Sequence, residues 1–137
     1  MPVFNDANQL YDTFGALFTQ LANDPKVAQV IAKSGLIIRF KYSEPDSEIT
    51  IDATKEPIEV FYGPCSLKPM VDMSMSADTA HQFWLGKLNL VSALTRGNIV
   101  AKGPIPSIMK LLPIISPAFK IYPEVLKAKG FQSNIKS

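Results

Sequence analysis

An α+β fold, with five short strands in a mostly antiparallel sheet and helices over one of its faces, follows from three features of the sequence. Apolar residues recur at three- and four-residue spacing near the N-terminus, alternate one by one between residues 36 and 75, and then return to helical spacing. The alternating segments are joined by short connections, which favours antiparallel neighbours with one polar and one covered face. The chain has 137 residues, 47% of them apolar and 19% charged, with no internal repeat or low-complexity linker, so one domain spanning residues 1–137 is expected.

Leu10, Phe14, Leu17, Phe18 and Leu21 form one face of a first helix over residues 8–22, capped by Asp6 or Asn8. A second helix starts at Asp24-Pro25, buries Val27, Val30 and Ile31, and stops at Gly35. Leu36, Ile38, Phe40 and Tyr42 then alternate with Ile37, Arg39, Lys41 and Ser43, which is a strand. Glu44-Pro-Asp-Ser is turn chemistry, and Ile49, Ile51 and Ala53 mark the returning arm. A third strand runs from Ile58 to Tyr62, and a fourth from Leu67 to Met75. Ser76 or Asp78 caps a helix that continues through Phe83, Trp84 and Leu85 to Gly86, and one or two more turns follow over Leu90–Thr95. Asn98 to Gly103 is the fifth strand. Beyond it the helical character is cut by prolines into pieces near residues 105–112, 117–121 and 123–129.

Net charge is +2, distributed as −3 over residues 1–70 and +5 over residues 71–137. That asymmetry suits an anionic partner such as a phosphate headgroup, a coenzyme A moiety or a membrane surface, while an ordinary solvated face is the plainer account. The basic residues stand singly and without interleaved aromatics, so no nucleic-acid partner is expected. Cys65 is the only cysteine and forms no internal disulfide, which with the absence of a basic, apolar leader points to the cytoplasm. Residues 105–121 are apolar, but Pro106, Pro113, Pro117, Lys110 and Lys120 make them a poor membrane-spanning helix.

His81 is the only histidine and has no ligand-type neighbours, so no metal or cofactor is expected. Three residues after Asp78 on a helix, it reads as a polar surface partner. Cys65 has only Lys68 nearby to activate it and reads as a structural thiol. Neither phosphate-binding glycine pattern is present. The second half instead concentrates adaptable apolar side chains, among them Met70, Met73, Met75, Phe83, Trp84, Met109 and Phe119. Each is accounted for by core packing, or together they form an apolar lid over an internal cavity.

Val71-Asp-Met-Ser-Met-Ser-Ala-Asp, then Gly86-Lys87-Leu88, Ala93-Leu94, Arg96-Gly97 and Lys102-Gly103, resemble in order and spacing the sterol carrier protein-2 family. The likeness covers roughly residues 70–112; Pro104, Pro106, Pro113, Pro117 and Pro123 depart from the smooth helix usual in that family, and Ile135-Lys136-Ser137 is not its peroxisomal tripeptide. The resemblance implies a five-stranded sheet, helices over one face, and an apolar tunnel for fatty acids, acyl-CoA, phospholipids or sterols. On that basis Met73, Met75, Phe83, Trp84, Leu94, Ile108, Met109, Leu112, Ile115 and Phe119 are the candidate tunnel and lid residues. Lys87, Arg96, Lys102 and Lys110 are candidates for contact with anionic headgroups or membranes at the tunnel mouth. The expected role is non-catalytic lipid binding or transfer. The alternatives are an accessory protein that presents a lipid or isoprenoid-quinone intermediate to biosynthetic enzymes, and an enzyme using Cys65 or His81.

Overall fold

A computed structural model describes residues 3–55, 58–110 and 112–130, without the side chains of Ile114 and Ile115. Helix α1 (Ala7–Asn23) starts where the Asp6 carboxylate accepts the Gln9 N–H at 2.8 Å. Helix α2 (Pro25–Ser34) begins on the Asp24 side chain, which accepts from Lys26 and Val27, and ends at Gly35 in the left-handed conformation, φ 61°. Such a cap is worth about 1 kcal/mol, and it sets the sharp turn between the two helices.

Four strands follow: β1 (Ile37–Ser43), β2 (Ser47–Asp52), β3 (Glu59–Tyr62) and β4 (Val71–Ser76). Helices α3 (Ala77–Trp84) and α4 (Leu90–Arg96), strand β5 (Val100–Lys102), and helices α5 (Ile105–Met109) and α6 (Leu112–Ala128) complete the order. The sheet order is β3-β2-β1-β4-β5. Three of its ladders are antiparallel, and the central one, β1 with β4, is parallel, with Phe40 opposite Met73 and Tyr42 opposite Met75. The connection from β3 must therefore pass β2 and β1 to reach β4, and Cys65–Met70 lie with Arg39 on the polar face as they do so. Strand β4 begins at Val71 rather than Leu67, because Pro69 has no N–H to give to the ladder and the first bond to β1 comes from the Met70 N–H to the Ile37 carbonyl.

Alternation in β1 divides the molecule. Ile38, Phe40 and Tyr42 are buried toward the helices, while Arg39 points the other way and pairs with Asp72 of β4 and, at 4.0 Å, with Glu48 of β2. Gly103, just after β5, has φ 137°, and a Cβ there would stand 2.6 Å from the Met70 carbonyl oxygen, so only glycine lets the chain leave the edge strand at this point.

The C-terminal segment corrects the expectation of broken pieces. Helix α6 runs for 17 residues with Pro117 and Pro123 inside it. Pro113 falls in the first turn, where its missing N–H costs nothing. The two inner prolines each forfeit one helical hydrogen bond, and the buried stripe Ala118, Tyr122, Val125 and Leu126 offsets that loss by packing against the core.

Candidate functional site

Two aromatic groups divide the space between sheet and helices. At one end Phe4, Phe14, Tyr42, His81 and Tyr122 pack edge-on or tilted with centroids 5.1 to 6.2 Å apart. His81 is 1% exposed, and its Nδ1 lies 2.7 Å from the Tyr122 hydroxyl. It is thus a buried histidine and not the surface partner of Asp78 that its spacing suggested; burial pushes its pKa down to about 4, so the ring is neutral at pH 7. Burial likewise pushes the Tyr122 hydroxyl upward. This end is a filled plug.

Toward the other end the packing is incomplete. Phe18 stacks on Phe40 at 5.6 Å and meets Trp84 edge-on at 6.1 Å; Trp84 meets Phe83 at 5.0 Å, and Phe83 meets Phe119 at 6.2 Å. Beside this aromatic run lies a cavity of ≈ 50 Å³. Helices α1 and α2 supply Phe18, Leu21, Ala22 and Ile31; β1 and β2 supply Ile38, Phe40 and Ile51; the β3 region supplies Ile58 and Val60; and Met73, Phe83, Trp84, Leu90 and Ile108 close it. Every one of these side chains is aliphatic, aromatic or a thioether, so the space offers a ligand no charge and no strong acceptor. An apolar cavity that takes up benzene has roughly 150 Å³, so this one as it stands holds only a few methylene groups.

Open grooves flank it. Phe83 and Leu90 also border a groove of ≈ 470 Å³ between Gly86–Val91 and the start of α6, with Lys87, Leu112, Ser116 and Phe119 on its rim. Ala22 and Ile58 border another, of ≈ 670 Å³, alongside α2.

Of the residues singled out from the sequence, Met73, Phe83, Trp84 and Ile108 line the cavity. Phe119 and Leu112 line the groove outside it. Met75 and Leu94 are half-buried against the core and do not reach the cavity, and Met109 is exposed on α5. The side chain of Ile115 lies outside the described residues. Lys87 stands on the groove rim, while Arg96, Lys102 and Lys110 are exposed at the ends of α4, β5 and α5. Nine of the fourteen lining residues come from the first 60 positions, outside the Met-rich, proline-broken half in which the candidate residues lie. The inward alternation of β1 and β2 and the apolar stripe of α1 were the available signal. Among the described residues no group of three or more His, Cys, Asp or Glu could hold a metal ion. Cys65 is a free, half-buried thiol in the β3–β4 connection.

A mixed five-stranded sheet with helices enclosing an apolar space on one side is an α+β architecture of the sterol carrier type. The model of the SCP-2 sterol transfer family matches residues 14–116, and the chain belongs to that family. Its fold is similar to that of sterol carrier protein domain 2 of Helicoverpa armigera, with TM-score 0.67, 25% identity, and 80% of this chain and 91% of that one covered. It is also similar to the ubiquinone synthesis protein UbiJ-SCP2, with TM-score 0.59, 13% identity, and 76% and 85% covered. Sterol Carrier Protein-2 from Aedes aegypti, solved as a complex with the C16 fatty acid palmitate, matches with TM-score 0.50, 15% identity, and 64% and 88% covered. No curated protein matches the chain. Among the described residues no helix is long and apolar enough to cross a membrane.

Proposed function

We propose that the chain is a non-catalytic lipid-binding or lipid-transfer unit in the cytoplasm that holds an acyl chain, from a fatty acid, acyl-CoA or phospholipid, or a sterol-like body, between its sheet and helices. The observation that carries this reading is the wholly apolar lining of the cavity within a fold of the sterol transfer family. Each buried methylene contributes about 0.8 kcal/mol, so a twelve-carbon segment gains on the order of 10 kcal/mol before ordering costs are subtracted. Hydrocarbon burial alone can therefore supply the affinity, and discrimination between neighbouring chain lengths is weak.

A cavity of ≈ 50 Å³ requires the walls to move outward as the ligand enters. Phe83 and Leu90 border both the cavity and the groove at Lys87, and this shared wall is the route we assign to entry. Met73, Phe83, Trp84 and Ile108 contact the chain inside; Leu112 and Phe119 contact it in the groove. The complex of the mosquito relative with palmitate supports an acyl ligand.

A second reading, an accessory protein that presents an isoprenoid-quinone or lipid intermediate to biosynthetic enzymes, is supported by the likeness to a ubiquinone synthesis protein. Native mass spectrometry of gently purified protein tests both. A bound mass in the fatty-acid or phospholipid range, with saturable uptake of a fluorescent acyl chain, is the expected result. A prenylated aromatic mass selects the second reading. A clean apo mass with no acyl uptake contradicts both.

A further inference from the structure

Among the described residues two side-chain polar atoms are buried without a hydrogen-bond partner, the hydroxyls of Tyr42 and Thr50. A buried hydroxyl left unpaired destabilises a fold, so each calls for a reason. The two lie on opposite faces of the sheet. Thr50 stands opposite Arg39 in the β1–β2 register and so belongs to the polar face. Tyr42 shares the helix-covered face of β1 with Ile38 and Phe40, which line the cavity, and it lies two residues beyond Phe40, about 7 Å along the strand.

Three elements step together from the cavity to Tyr42. On β1 the rings of Phe40 and Tyr42 are within 6° of parallel, with centroids 6.4 Å apart. On α1 Phe18 lines the cavity, and the ring of Phe14, one turn earlier, lies 5.3 Å from that of Tyr42. On β4 Met73, opposite Phe40, lines the cavity, and Met75, opposite Tyr42, is half-buried. A methionine repacks readily, so Met75 is the side chain that yields when the cavity lengthens in this direction. Tyr122 packs on the same Phe14 ring at 6.0 Å and holds His81 Nδ1 at 2.7 Å. All three polar groups are neutral at pH 7, because burial pushes both tyrosines up and the histidine down.

We propose that the Tyr42 hydroxyl is a polar subsite at the closed end of the cavity, and that its partner is the hydroxyl of an uncharged lipid, a long-chain alcohol or a sterol, bound polar end inward. The proposal deepens the lipid-binding function proposed above and rests on it. A carboxylate moved among Tyr42, Tyr122 and His81 would exchange its hydration for uncharged partners, which is costly. A fatty acid therefore lies with its carboxylate toward the groove at Lys87, and an alcohol with its hydroxyl toward Tyr42.

Displacement of a fluorescent acyl chain from the full chain by 1-decanol and by decanoate tests the assignment. Tyr42→Phe keeps the ring and deletes the hydroxyl, so it should weaken 1-decanol about ten-fold, the worth of one hydrogen bond to a buried group that is otherwise unpaired, and leave decanoate within about two-fold of wild type. Its thermal melt should equal or exceed that of wild type, because the deleted hydroxyl has no partner in the free protein. Thr50→Val removes the other unpaired hydroxyl, on the polar face, and should bind both ligands as wild type does. Cholesterol separates the two sources: displacement that Tyr42→Phe weakens extends the subsite to sterols, and any other result with cholesterol confines it to linear alcohols. Equal 1-decanol affinity in wild type and Tyr42→Phe, or a Tyr42→Phe melt below wild type, overturns the proposal, and decanoate binding then keeps the lipid-binding function standing. A wild type that takes up neither ligand removes both.

Discussion

Leu17 and Leu21 lie on the same helix, are 0% and 2% exposed, and belong to the same core, but only Leu21 lines the cavity. Replacing each by alanine gives a matched pair. Buried Leu→Ala changes cost about 2.7–5.0 kcal/mol, with about 24 cal/mol added per Å³ of void left behind. At Leu17 the new void is enclosed by packed side chains, and about 4 kcal/mol is expected. Leu21 already lacks neighbours on its cavity side, so it loses fewer dispersion contacts, and about 3 kcal/mol is expected. The ligand widens the contrast. The void at Leu21 joins the existing ≈ 50 Å³ and becomes available to an acyl chain. Urea denaturation with and without decanoate, below its micelle concentration, should therefore restore at least about 1 kcal/mol more to Leu21→Ala than to Leu17→Ala, because a ligand that binds only the folded state stabilises it in proportion to its affinity. Equal deficits that respond equally to decanoate would refute the assignment of this cavity as the ligand site.

Other perturbations follow from the same geometry. His81 is held neutral by burial, with its folded pKa lowered from 6.5 to about 4, so the unfolded chain binds the extra proton and the stability it contributes is lost as pH falls from 6.5 toward 4. The stability difference between wild type and His81→Gln should shrink by roughly 2 kcal/mol between pH 7 and pH 4.5, since protonation of the unfolded chain alone costs at most about 1.4 kcal/mol per pH unit below 6.5; a constant difference in urea melts contradicts the buried neutral ring. Gly103→Ala should destabilise by about 3 kcal/mol and loosen β5, seen as faster amide exchange at Ala101, since its Cβ meets a backbone oxygen; wild-type exchange would refute the close approach. Trp84, the only tryptophan, should change emission saturably on adding decanoate, and Trp84→Phe should fold while binding more weakly. Unchanged emission with ligand bound would move the site to the groove at Leu112 and Phe119.

Local patterns were legible, and long-range pairings were not. Asp24-Pro25 and Gly35 mark the ends of α2 because capping depends on neighbouring residues alone. The alternation from Leu36 to Tyr42 marks β1 and its buried face for the same reason. His81 defeated this reasoning: its hydrogen-bond partner Tyr122 is 41 residues away, and α3 buries Ala77, Ala80, His81, Phe83 and Trp84 over most of its circumference, leaving no clean polar side for spacing to reveal. The parallel pairing of β1 with β4 depends on how the Gly63–Met70 connection crosses the sheet, which short-range turn chemistry does not specify. In α6, the prolines signal breaks, and tertiary burial of Tyr122, Val125 and Leu126 overrides them. The family motif lies in the second half of the chain, although most of the cavity wall is built by α1, α2, β1, β2 and the β3 region, whose residues look like any other core.

The most direct measurement is nuclear Overhauser contact between an acyl chain and the protein's methyl groups in the saturated complex. The account predicts contacts from the chain's methylenes to the methyls of Ile38, Ile51 and Ile108, which face the cavity from the sheet and from α5. Saturable binding with contacts confined to Leu112 and the outer groove, and none to Ile38 or Ile51, would contradict it.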